Sequence, residues 1–279
     1  MGKKAIFAFM ALSVLTPLAG ALEIKNLRVT HGPMGATRLE AKFLPGDYLF
    51  MSFDLEGLAF DPSTGKAKYE TILQLFDSKG AKKDKDGKVL PIFEKKTDNT
   101  VSAMLGGTRI PGDLHVIMGT DQEPGKYVVR LIVTDKVSKE KVNYKYFDHR
   151  FELMPTSFGL VGVTAPAIGF PGQHYVASFA LVNMKLDAQK KPNVDVVMRV
   201  LDANGTQQMT APINTNLPKD MPAELNLDKE NFIPMQFPIY LNRAGRFTIE
   251  VEATDKAANK QTKLYYTLNV IDIDSVIGR

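Results

Sequence analysis

The side chains able to do chemistry in this 279-residue chain are few and scattered. Its histidines are His31, His115, His149 and His174. None stands three or four positions from another, so a zinc site would have to be assembled wholly by the fold. Cysteine is absent, which removes thiol nucleophiles, cysteine-ligated zinc and iron–sulfur clusters. Lys82-Lys83-Asp84-Lys85-Asp86-Gly87-Lys88 holds the Asp-x-Asp-Gly fragment of a calcium loop. The other ligands are missing and the lysines oppose a cation, so a solvated hairpin loop is expected. Asp121/Glu123 and Asp228/Glu230 are acid pairs in loop-like sequence. Whether two carboxylates converge as in a glycosidase stays open at this level. Asn204-Gly205-Thr206 fits an Asn-Gly turn better than a glycosylation acceptor. Nucleophile-elbow, phosphate-loop and dinucleotide motifs are all missing. The expectation is therefore no catalytic, metal-binding or cofactor-binding residue, no cofactor, and no enzymatic activity.

What positions such side chains is a duplicated unit. Phe43-Leu44-Pro45-Gly46-Asp47-Tyr48 and the alternating run to Leu55 return as Gly169-Phe170-Pro171-Gly172-Gln173-His174 and the run to Leu181. Gly125-Lys126-Tyr127 through Thr134-Asp135-Lys136 returns as Gly245-Arg246-Phe247 through Thr254-Asp255-Lys256. Order and spacing are kept, so a unit of about 120 residues is present twice. In both copies alternate side chains are apolar: Leu49, Met51, Phe53 and Leu55 match Tyr175, Ala177, Phe179 and Leu181. Tyr127, Val129, Leu131 and Val133 match Phe247, Ile249, Val251 and Ala253. A one-residue slip would turn every one of these outward, so the shared phase predicts strands with one buried face.

Strands are predicted over 24–29, 38–43, 48–55, 69–76, 89–95, 114–118, 126–134 and 141–153 in the first copy. In the second they fall over 160–163, 173–182, 194–201, 207–210, 235–241, 246–254 and 260–270. Short strands at this spacing predict an all-β chain of two tandem β-sandwiches, residues 22–155 and 156–279. Met154-Pro155-Thr156-Ser157 is too short a junction to allow much freedom. Aligned on the repeat, the last strand of the first copy carries extra residues around Phe147-Asp148-His149, which reads as a bulge that can aim side chains. Asp148 and His149, the outward aromatics Phe50 and Tyr265, and the long connections 97–113 and 209–234 form the candidate binding surface.

Residues 1–21 read as a cleaved export signal. Lys3 and Lys4 precede an apolar run from Ala5 to Leu18, and Ala19-Gly20-Ala21 suits cleavage after Ala21. The run is shorter than the ~20 residues of a spanning helix, so no stable membrane insertion of the mature chain is expected. The formal charge of +4 includes Lys3 and Lys4. The mature chain is thus nearly neutral, which argues against a nucleic-acid partner.

The stretch Ala244-Gly245-Arg246-Phe247 to Thr254-Asp255-Lys256-Ala257-Ala258-Asn259 resembles the last hairpin of bacterial immunoglobulin-like and cadherin-like domains. Pro124-Gly125-Lys126-Tyr127 to Asp135 is a looser copy. The resemblance implies two immunoglobulin-like β-sandwiches and places Tyr127 at a tyrosine corner, a structural role that Phe247 cannot repeat. Acid clusters for calcium between domains, as in cadherins, are not present. Together these readings imply an exported, non-catalytic binding or structural protein of the bacterial cell envelope, in the periplasm, on the surface or secreted. Its partner would be a protein or polysaccharide of the envelope. The alternatives are a polysaccharide-active enzyme or its accessory module, and a periplasmic chaperone-like protein that binds through a strand edge.

Overall fold

The computed structural model describes residues 21–79, 83–87, 89–102, 107, 109–217, 219, 227 and 232–272. Residues 1–20 of the expected export signal, Lys82, Lys88, the Asp228/Glu230 pair and parts of both long connections lie outside the described residues. In the first copy the strands are β1 (Glu23–His31), β2 (Ala36–Thr37), β3 (Lys42–Phe43), β4 (Tyr48–Glu56) and β5 (Lys66–Asp77). They continue with β6 (Phe93–Ser102), β7 (Ile110–Ile117), β8 (Gly125–Asp135) and β9 (Tyr144–Leu153). The second copy supplies β10 (Gly159–Thr164), β11 (Ile168–Gly169), β12 (His174–Val182) and β13 (Val194–Leu201). It ends with β14 (Ile213–Leu217), β15 (Phe232–Tyr240), β16 (Gly245–Asp255) and β17 (Lys260–Val270).

These strands form four sheets, ordered β2-β1-β4-β7, β3-β9-β8-β5-β6, β10-β12-β15 and β11-β17-β16-β13-β14. The first two enclose one interior, around Leu49, Met51, Leu75, Val129 and Leu153, continued by Phe53, Leu55, Leu131 and Val133. The last two enclose another, around Phe179, Leu181, Val196, Ile249, Val251 and Leu268. The fold is an immunoglobulin-like β-sandwich made twice. Apolar residues at every second position of β4, β8, β12 and β16 point between the sheets because only that phase removes them from water.

The copies also agree in detail. Each has a short strand parallel to its last long one, Phe43 beside Leu153 and Gly169 beside Val270. Each then makes a Pro-Gly turn, with Gly46 (φ 85°) and Gly172 (φ 81°) in the left-handed region that such a turn requires. Each first strand bulges, between Lys25 and Arg28 and between Val161 and Thr164. The repeated Thr-Asp-Lys is structural. Asp135 and Asp255 are 1% and 0% exposed. Ala59 N donates to Asp135 Oδ2 at 2.8 Å or less (2.7 Å), and Lys185 N to Asp255 Oδ2 (2.8 Å), at matching positions.

Several expectations are corrected. No bulge lies at Asp148 and His149: β8 and β9 pair without a shift, Arg130 against Asp148 and Val129 against His149. The extra residues of the first copy sit in the turn, since Asp135 N bonds to Asn143 O whereas Asp255 already pairs with Lys260. The strand expected over 38–43 shrinks to Lys42–Phe43, because Arg38 N turns back to Val29 O. The strand expected over 207–210 is a single bridge from Leu201 to Gln207, and β14 forms farther on, inside the expected loop. The strand expected over 89–95 begins at Phe93 and runs through to Ser102, so much of the connection 97–113 is sheet.

Candidate functional site

The first copy carries a longer segment between β1 and β3 than the second has between β10 and β11. That segment clasps the two sandwiches. Beyond Val29 the chain folds into the Gly32–Gly35 turn and β2, and Ala36 enters the interior of the second sandwich. Ala165 N donates to His31 O (3.0 Å) and Ala36 N to Ala165 O (2.9 Å), a short ladder joining the copies. Beside it lies the Asp47 carboxylate, 1% exposed. Its Oδ1 accepts from Tyr48 N (2.8 Å) and, across the junction, from Gly162 N (2.9 Å). Its Oδ2 accepts from Arg38 Nη1 (2.8 Å). Arg38 also donates to Lys42 O (2.5 Å) and lies 4.0 Å from the centre of the Phe43 ring. Gly162 has φ 62°, and a side chain there would meet the Tyr48 ring at 3.5 Å.

A cleft of about 330 Å³ opens at this junction, with His31, Arg38, Lys42, Asp47, Lys263 and Tyr265 in its walls. His31 is almost wholly buried. Burial, aided by the Arg38 charge, pulls its pKa down to about 3, so the imidazole is neutral at ordinary pH. Its ring stands 6.3 Å from that of Tyr266, whose hydroxyl burial pushes well above the ordinary range. Arg38 and Asp47 already satisfy each other and nearby backbone. The Arg38–Asp47 pair at the cleft is therefore matched within the joint, while the Tyr266 hydroxyl beside His31 is buried without a hydrogen-bond partner.

A second, apolar contact flanks the clasp. Val161, Ala180 and Val182 are buried together against Leu44. At the matching register the first copy has Lys25, Asp54 and Glu56 instead. There Lys25 bridges Glu23 and Glu56 (3.1 and 2.7 Å), and Arg109 reaches Glu56 (2.7 Å).

The candidate residues do not converge. Phe50 is on the outward phase, as expected, yet it is buried, between Tyr48 and His115 (5.8 and 5.5 Å between ring centres). The turn before β2 covers this face, with Met34 N donating to Ser52 Oγ (3.2 Å). Asp148 lies on the outer face of the five-stranded sheet, paired with Arg130 through two bonds (2.6 and 2.8 Å) that hold its carboxyl below the usual range. His149, next along the strand, points the other way and is half-buried, which lowers its pKa. Tyr265 stands at the cleft rim, 42% exposed, opposite Glu250. The Tyr127 hydroxyl donates to Glu123 O (2.6 Å). His174 begins β12, the central strand of the three-stranded sheet, and stands against Tyr240 (5.0 Å). Among the described residues no group of three or more His, Asp or Glu is placed to hold a metal.

Sequence reasoning misses the clasp. Its signal lies in the differences between the copies: Asp47 where the second has Gln173, and the longer run around His31 to Ala41.

No family profile and no curated protein matches this sequence. Among solved structures it is similar to red sea bream transglutaminase, at 9% identity and a TM-score of 0.28, over 90% of this chain and 31% of that one. It is similar to the D1-D4 ectodomain fragment of ICAM-5, at 9% identity and a TM-score of 0.28, over 88% of this chain and 53% of that one. It is similar to dimeric latent PorU from Porphyromonas gingivalis, at 12% identity and a TM-score of 0.34, over 90% of this chain and 20% of that one. Likeness at this level carries no functional argument; the sandwich assignment stands on sheet order and strand pairing.

Proposed function

We propose that this chain is an exported, non-catalytic binding or structural protein of the bacterial cell envelope, whose two sandwiches are held as one body to present fixed outer faces. The observation that carries this reading is the clasp. Asp47, Arg38, Gly162 and the His31–Ala165 ladder lock the copies, which suits a spacer or a scaffold for recognition. Export rests on the sequence of residues 1–21. The strand-edge reading has less support. The outer edge of β15 carries Pro234 and Pro238, that of β7 carries Pro111, and β6 carries Lys95 and Lys96, all devices that discourage an added strand.

The test is expression of the full chain in a bacterial host, followed by cell fractionation and intact-mass measurement. The reading expects a chain beginning at Leu22 in the envelope or medium. An unprocessed chain confined to the cytosol would overturn it.

A further inference from the structure

The two copies also differ in the outer face of their five-stranded sheets. In the second copy this face is a lattice of charges. Arg199 pairs with Glu250 and Glu252, Lys263 with Glu252 (3.0 Å), and Gln261 bonds to Glu252 (2.6 Å). At the matching register, Glu252 opposite Lys263 becomes Ile132 opposite Tyr146. Gln261 becomes Tyr144, and Glu250 becomes Arg130. Tyr144 and Tyr146 are 50% and 60% exposed. They stand two residues apart on β9, so both rings rise from one face about 7 Å apart along the strand. Arg130 is held beside them. Its guanidinium lies 5.1 Å from the Tyr146 ring centre and 5.3 Å from that of Phe76, and it is forked to Asp148. Half-buried Ile72, Val128 and Ile132 floor the patch.

We infer that this face of the first sandwich, Tyr144 and Tyr146 with the Arg130–Asp148 fork, is a binding platform for a polysaccharide chain. The inference rests on the envelope-binding reading above and names its ligand class. The chemistry matches on two counts. A sugar ring has an apolar face that stacks on an aromatic ring, and a rim of hydroxyls that donate and accept in nearly one plane. The fork offers spare guanidinium N–H donors and carboxylate lone pairs at ring level. A protein partner would set its apolar core over a desolvated ion pair, which interface centres avoid. The arrangement is also preorganised, since Arg130 is fixed by two rings and two bonds before any ligand arrives, which lowers the ordering cost of binding.

The test is co-sedimentation of the purified chain with insoluble chitin, cellulose and bacterial cell-wall sacculi, at low and high salt. The expected result is retention on at least one solid that persists at high salt. Tyr146→Ala and Tyr144→Ala should each weaken it by about tenfold, with unfolding midpoints and circular dichroism unchanged, while Tyr240→Ala, at an exposed tyrosine of the second sandwich, binds as the wild type does. Retention on none of the three, retention of both Tyr144→Ala and Tyr146→Ala at the wild-type level, or loss with Tyr240→Ala alone would overturn the inference. So would binding abolished by salt, the mark of a polyanion such as single-stranded nucleic acid. A chain that reaches the envelope and is processed yet binds no polysaccharide sinks only this inference and leaves the proposed function standing.

Discussion

Tyr127 and the paired aspartates show what single side chains contribute here. The Tyr127 hydroxyl ties the start of β8 to Glu123. Tyr127→Phe is expected to cost about 1 kcal/mol in a denaturant titration, and an unchanged midpoint would remove the corner from the account. Asp255 is wholly buried and accepts from Lys185 N and Ala258 N (2.8 and 3.0 Å). Asp255→Ala strands both donors, and a loss of about 3 kcal/mol is expected by the same measurement. The site of Tyr127 is legible in the sequence because the strand that follows alternates cleanly. The role of Asp47 is not, since an Asp after Pro-Gly reads as ordinary turn chemistry. Its partner Gly162 is far along the chain, and only the fold brings the two together.

Among the elements, strands buried on one face are the ones the sequence predicts well. β4, β8, β13, β16 and β17 lie within about one residue of expectation, because burial of one phase writes itself into composition. β6 is exposed on nearly every side chain, Phe93 to Ser102, so no alternation marks it and its span is misread. β2 and β14 exist through their neighbours rather than through their own preferences. The clasp gives the prediction proper to this scale. Asp47→Ala leaves Arg38 and Gly162 N without their acceptor, and breaking a buried pair costs about 3 kcal/mol. In calorimetry the variant should unfold in two steps where the wild type unfolds in one. A single, unmoved transition would show that the sandwiches are joined by other means.

For the molecule as a whole, acidity is the informative variable. His31 has a folded pKa of about 3 against an ordinary 6.5, so below 6.5 the unfolded chain takes up the proton and the folded one does not. Stability is full above pH 6.5 and is lost as the pH falls towards 3, at up to about 1.4 kcal/mol per pH unit. His149 acts in the same sense. In His31→Phe the dependence of stability on pH between 6.5 and about 4 should flatten, and an unaltered profile would place the acid sensitivity elsewhere. The duplication is legible in the sequence, whereas the way the halves meet is not, for it depends on how they have diverged. That divergence has a direction. The ion-paired end formed by Lys25, Asp54, Glu56 and Arg109 cannot receive a neighbour as the greasy end formed by Val161, Ala180 and Val182 does. Swapping the order of the two halves in one polypeptide would therefore yield two independent beads on a string.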